Sequence, residues 1–245
     1  MATRRPDYGG APGLGEISTY WPLITDPARF VLRYAPAIRA YLTALLQNAD
    51  DAEEATQDFL LKGLLRGFVR TEELRGRFRD YLKAAVRNAA LTRLRRRGPA
   101  PAGAADLPQL PDPHGGPSRA DREWLAEWRG CVIDRALQAL DRCQRQTPGN
   151  LFHTVLRLTL DHPDEDSAAL AARAGALAGR PVRADAFRKQ LSRARRRFAE
   201  LLVAEVTQTL ERPTPERVAE ELAETGLLPF VRDFLHDPGR PADAP

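Results

Sequence analysis

Apolar residues recur along this chain at steps of three and four, the period of amphipathic helices. β-Branched runs bounded by turn residues, the usual strand signal, do not occur. Asp26-Pro27 pairs a capping residue with proline at the first helical position, and Phe30, Tyr34, Ile38, Leu42 and Leu45 then mark a helix running to about Asn48. Asp50 to Gly67 predicts a second helix with two faces. Ala52, Ala55, Thr56 and Phe59 share one, while Glu54, Gln57, Asp58 and Leu61 share the other, with Leu65 beyond. A third helix from about Phe78 carries the stripe Phe78, Leu82, Ala85, Val86 and Ala89.

The second half repeats the pattern. Ser118 with Asp121 three residues on forms a capping box for a helix whose inner side collects Trp124, Trp128, Val132, Ala136, Leu140 and Cys143. Thr147-Pro148-Gly149 ends it, and a short apolar helix from Leu151 to Leu160 follows. Asp166 or Ser167 caps a small helix, DSAALAARAG, with Leu170 and Ala174 facing in. A loop from Ala176 to Arg183 leads to a long helix with Phe187, Leu191, Ala194, Phe198 and Leu201 on one side. Pro215 to Phe234 predicts one or two more helices with an acidic patch of Glu216, Glu220, Glu221 and Glu224.

The expected fold is therefore all-α: two small helical domains joined by a flexible linker, the second containing a helix-turn-helix. The linker is the stretch from Gly98 to Pro117, GPAPAGAADLPQLPDPHGGP, which has no periodicity. Fully extended, roughly 20 residues reach about 65 Å. The divisions are an N-terminal arm (1–25), a first domain (26–98), the linker (99–117), a second domain (118–212) and a partly helical acidic extension (213–245). The helix-turn-helix expectation comes from a short helix, a turn and a longer basic helix in succession, although the turn is longer than is usual.

Charge sharpens this outline. The chain of 245 residues carries a net charge of only +4, yet it is strongly segregated. From Arg75 to Arg97 nine bases (Arg75, Arg77, Arg79, Lys83, Arg87, Arg93, Arg95, Arg96, Arg97) stand against the single acid Asp80. Lys83 and Arg87 lie opposite the apolar stripe, flanked by Arg79 and Arg93. A second cluster, Arg183 to Arg197, holds seven bases and one acid, with Lys189, Ser192, Arg193 and Arg196 opposite the apolar side and Arg183 at the helix entrance. Two helices packed on one side and basic on the other suit a nucleic-acid backbone. The acidic face of the second helix, with Glu54 and Asp58 one turn apart and leucines beside them, is equally consistent with a docking site for a basic partner and with a solubilising surface.

Other chemistries find no support. Cys131 and Cys143 fall in one helix, rotated ~120° apart, which suits small core residues of a reducing compartment rather than a disulfide. The four histidines lie far apart and none pairs with another ligand at metal spacing. No phosphate-binding loop, dinucleotide fingerprint or nucleophile elbow is present. No enzymatic activity and no cofactor are expected. The N-terminal stretch lacks an apolar signal-peptide core, and no run approaches the ~18 apolar residues of a membrane helix. The expected location is the cytoplasm, without membrane insertion.

Several motifs in this order resemble a bacterial RNA polymerase sigma factor of the sigma-70 family, of the extracytoplasmic-function (ECF) type. Asp51-Ala52-Glu53-Glu54-Ala55-Thr56-Gln57-Asp58-Phe59 is similar to the family's D-A-E-D-x-x-Q-x-x-F segment. Arg77-Phe78-Arg79-Asp80-Tyr81-Leu82, then Arg87-Asn88 and Arg95 to Arg97, resembles its F-x-x-[WY]-L … R-N … R-R run. Asp121 to Trp124 and Arg193 to Phe198 look like landmarks of the family's fourth region. The resemblance implies that Asp51, Glu54, Gln57, Asp58 and Leu61 dock on the clamp helices of the largest subunit of core RNA polymerase. It implies that Arg77, Arg79, Tyr81, Lys83, Arg87, Asn88, Arg95, Arg96 and Arg97 contact and help melt the promoter's −10 element, with Tyr81 and the turn from Phe68 to Arg75 meeting bases while Phe78 packs inward. Arg183, Lys189, Ser192, Arg193 and Arg196 would read the −35 duplex. Partners would be core polymerase and promoter DNA, with an anti-sigma protein as a further candidate.

The competing reading is a helix-turn-helix regulator that binds DNA without polymerase, and the acidic face from Asp51 to Leu61 discriminates the two. An RNA-binding or scaffold protein with two helical modules is a third. The extension after Thr214 lies outside the two-region plan, and its acidic patch makes it a candidate cover for a DNA- or polymerase-binding face.

Overall fold

The periodic segments all form helices. The computed structural model describes residues 27–66, 77–96 and 117–232, with side chains from 33 to 65, 77 to 96 and 117 to 232. The helices in chain order are α1 (Pro27–Leu46), α2 (Ala49–Arg66), α3 (Phe78–Arg96), α4 (Arg119–Gln146), α5 (Phe152–Asp161), α6 (Ser167–Ala178), α7 (Ala184–Thr207) and α8 (Pro215–Glu224), followed by a 3₁₀ turn at Leu228–Phe230. Among the described residues the fold is all-α. Its one extended pairing is an isolated antiparallel bridge between Arg77 and Leu210. The arm at 1–25, almost all of the linker, Arg97, the turn from Phe68 to Arg75 and residues 233–245 lie outside the described residues.

Helix ends follow local chemistry. Asn48 starts α2, its Oδ1 accepting from the Asp51 amide at 3.0 Å. The Ser118–Asp121 capping box forms in both directions: the Asp121 amide donates to Ser118 Oγ at 3.1 Å, and the Ser118 amide donates to Asp121 Oδ2 at 3.0 Å. Asp166 is the cap of α6, accepting from the amides of Ala168 and Ala169.

α6 runs three residues further than the sequence predicts and ends at Gly179 in a left-handed cap, φ 64°. Gly175 is therefore not a terminator. A Cβ there would stand 3.0 Å from the Arg180 carbonyl oxygen and 3.2 Å from the Val182 nitrogen, so the absent side chain lets the returning chain close onto α6. The connection to α7 shortens to residues 179–183.

The core begins where α1, α3 and α4 meet. Tyr34 and Trp128 stack with ring centres 4.6 Å apart and planes 6° from parallel. Phe78 lies 5.2 Å from Tyr34, and Trp124 lies 5.3 Å from Tyr41. Both tryptophans, with Ile38, Leu42, Leu82 and Val86, are almost completely buried. The helix that follows the linker thus shares a core with the three that precede it. Further along α4, Val132, Ala136 and Leu140 continue into a second apolar layer with Val155, Phe187, Ala194 and Leu202. Arg33 of α1 reaches α7 through a buried ion pair with Glu205 at 3.0 Å. Cys131 is buried and Cys143 half-buried, both as free thiols. Burial pushes the Cys131 thiol up to about 11. No described helix is long and apolar enough to cross a membrane.

Candidate functional site

The predicted faces of α2 separate as expected. Ala52, Ala55, Thr56 and Phe59 are buried, while Glu54, Gln57, Asp58 and Leu61 are exposed. Gln57 donates to Glu53 at 3.1 Å, which fixes its side chain along the helix. Leu61, Leu64 and Leu65 continue the face as uncovered apolar surface, Leu65 being 75% exposed. Asp51 behaves differently. It turns inward and is buried, because Arg93 of α3 reaches over it to bind Asp51 at 3.2 Å and also Glu54. The Arg93 hydrogen bond holds the Glu54 carboxyl below its usual range. Arg93 therefore fastens α3 to the acidic edge of α2, and it was not among the expected site residues. Between the two helices lies a groove of about 390 Å³, lined by Asp58, Phe59, Lys62, Asn88, Thr92 and Arg96.

The basic residues of α3 divide into two groups. Asn88, Arg95 and Arg96 are exposed and Arg87 half-exposed, forming a cationic strip along the second half of the helix. The first half is covered. The expectation that Arg79 flanks an open face is corrected: its guanidinium is buried and forks onto Glu221, with Nε donating to Oε1 at 2.9 Å and Nη2 to Oε2 at 3.1 Å. Arg79 also donates to Glu224 at 3.0 Å. Arg77 joins the same cluster through Glu220 at 3.5 Å, Glu221 at 3.4 Å and Glu224. Burial pushes the Glu221 carboxyl up against the pull of both guanidiniums, whereas Glu224, less deeply placed, is held below its usual range by Arg77 and Arg79 despite some desolvation.

Lys83 does not stand on a fully open face either. It pairs with Asp121, the third residue of the α4 capping box, at 2.6 Å, and lies 6.0 Å from the centre of the Tyr41 ring. Tyr81 is half-buried, its ring 6.3 Å from that of Phe78. Phe78 itself packs inward, as its place on the apolar stripe requires.

In the second half of the chain, the connection at 179–183 leads into the solvent-exposed first turns of α7. Arg183, Lys189, Ser192 and Arg193 are exposed, together with Arg188 and Arg195, which lie outside the expected set. Arg183 is paired with Asp185 at 3.4 Å. Arg196 is half-exposed and lies 3.5 Å from Glu200, which also accepts from Arg197 at 2.7 Å. The first three turns of α7 and their entrance thus present an open cationic surface.

Residues 30–99 match Sigma-70 region 2. No curated protein and no solved structure matches the chain. The match runs from within α1 through the end of α3, so region 2 contains both the acidic face with its leucines and the cationic strip. It supports a sigma factor of the sigma-70 family, and with it a role in RNA polymerase binding and promoter melting.

Within region 2 the sequence placed most side chains on their observed faces. What it missed are the Arg93 link to Asp51 and Glu54 within the region, and the partners that arrive from outside it: Asp121 from α4, and Glu220, Glu221 and Glu224 from α8. Their acidic character was visible in the sequence. Their proximity depends on how α4 and α8 pack, which periodicity does not encode.

Proposed function

We propose that this chain is a promoter-specificity subunit of bacterial RNA polymerase, a sigma factor of the ECF type with no catalysis of its own. The carrying observation is the exposed face of α2 inside the region 2 match, where Glu54, Gln57, Asp58 and Leu61 present charge and apolar surface together. Such a face docks on the clamp helices of the polymerase's largest subunit. Asp51 acts behind it by holding Arg93 in place.

In the bound state the cationic strip of α3, Arg87, Arg95 and Arg96, follows the promoter backbone at the −10 element. Melting needs cations along the displaced strand and apolar or aromatic surface for unstacked bases, and Tyr81 supplies a ring at the edge of the strip. Helices α6 and α7 form the helix-turn-helix. The open start of α7, with Lys189, Ser192 and Arg193, enters the major groove at the −35 element, and Arg183 contacts phosphate beside it. Reversing Glu54 and Asp58 to Lys tests the docking face: the account predicts loss of core-polymerase binding with the fold intact. Unaltered affinity would favour a helix-turn-helix regulator acting without polymerase.

A further inference from the structure

The extension after α7 is not an appendage. Leu210 bridges Arg77, and the Phe78 amide donates to the Thr209 carbonyl at 3.1 Å, so the chain leaving α7 is fastened to the start of α3. Val218, Leu222, Leu227 and Val231 then bury α8 and the turn after it. Gly226, at φ 69°, closes that turn against the Arg129 guanidinium of α4, which a Cβ would meet at 3.3 Å. This anchoring delivers three carboxylates to the N-terminal end of α3.

That end is electrostatically unusual. A helix N-terminus already carries partial positive charge, and here two guanidiniums, Arg77 and Arg79, are added to it. The arrangement demands an anion. Asp80 of α3 itself stands 3.9 Å from Arg79, and the three carboxylates that α8 adds are not equivalent. Glu221 is 1% exposed and bound by both oxygens, and the Thr225 hydroxyl donates to its carbonyl at 2.6 Å. Glu220 and Glu224 have side chains 63% and 49% exposed. One acid is built into the fold. The other two sit at the solvent edge, where a phosphate could take their place.

We propose that α8 is an internal competitor of nucleic acid: Glu220 and Glu224 occupy the phosphate position at Arg77 and Arg79, and an incoming single strand displaces them. This rests on the reading of α3 as the element that contacts the displaced promoter strand. The first two cations of that element are thereby held closed in the free chain, while the strip from Arg87 onward stays open. Contact with DNA proceeds from the C-terminal half of α3 toward its start, and completing it requires α8 to release its two outer acids.

The test uses the full chain and a labelled oligothymidylate single strand, which probes the cations without requiring a promoter sequence. In E220Q/E224Q, with Glu221 kept so that Arg79 retains its buried partner, affinity rises about three- to tenfold. A control of equal charge change away from the cluster, D134N/D164N, gives a clearly smaller gain. Adding R77Q to E220Q/E224Q abolishes the gain. A gain no larger than the control's, or one that persists with R77Q, overturns the proposal. Core-polymerase binding of the unaltered chain is measured in parallel. Its absence defeats the sigma-factor reading, whereas its presence without an E220Q/E224Q gain defeats only the role of α8.

Discussion

Lys83 of α3 holds Asp121 of α4 at 2.6 Å across the linker, at the residue that completes the capping box with Ser118. Asp121 does three things at once: it accepts from Lys83, from the Ser118 amide and from the Ser118 hydroxyl. Asp121→Ala therefore destabilises the chain by more than Lys83→Ala. We expect about 2 kcal/mol for the first, a cap and a charge-assisted bond together, and about 1 kcal/mol or less for the second. Chemical denaturation of the two variants checks the order, and equal losses would remove the cap from the account.

The same pair makes a pH prediction. Burial works against the Asp121 carboxylate, but Lys83 and the Ser118 donors hold it below the usual aspartate range. A carboxyl held lower in the folded than in the unfolded chain adds stability above its unfolded value, about pH 4, and that stability is lost as pH falls through the folded value. Asp121→Asn should flatten the acid limb of a stability-versus-pH curve in that window and leave its slope near neutrality unchanged.

Trp128 stacks on Tyr34 and stands within 6.2 Å of Phe78 and 5.9 Å of Trp124. With Trp124, which packs on Tyr41, it joins α4 to the core of α1 and α3. Trp128→Ala should cost about 3–5 kcal/mol, as for other buried aromatics, and should expose α1 and α3 together in hydrogen exchange. Protection lost in α4 alone would show that the shared core is not cooperative.

Gly175 sets two effects against each other. Alanine favours a helix interior over glycine by about 1 kcal/mol, but its Cβ would press on backbone at 3.0 and 3.2 Å, and such overpacking costs about 1–3 kcal/mol. The obstacle is backbone rather than a flexible side-chain end, so the clash wins. Gly175→Ala should lower stability by about 1 kcal/mol and shift the start of α7. Thermal unfolding decides, and a stabilised variant would contradict the tight approach of residues 179–183.

What was legible in the sequence follows from what is local. Phe78, Leu82 and Val86 fall on a stripe because helical geometry alone puts them there, and all three are buried. Ser118 and Asp166 announce helix starts because a cap needs only the next three residues. Ala52, Ala55, Thr56 and Phe59 separate from Glu54, Gln57 and Asp58 for the same reason. Arg79 was misplaced because its partner, Glu221, lies 142 residues away. Asp51 was assigned to an open face because Arg93, 42 residues on, is invisible to the periodicity of α2. The small helix was ended at Gly175 because a glycine needed for close approach and one needed for a cap look alike in sequence.

The role proposed for this chain is to confer promoter specificity on core RNA polymerase. Reconstituted transcription of bacterial genomic DNA with core enzyme, with and without the full chain, tests it directly by mapping transcript starts. The account predicts discrete new starts that share an upstream sequence and vanish when Glu54 and Asp58 are reversed to Lys. Starts identical to those of core polymerase alone would contradict it.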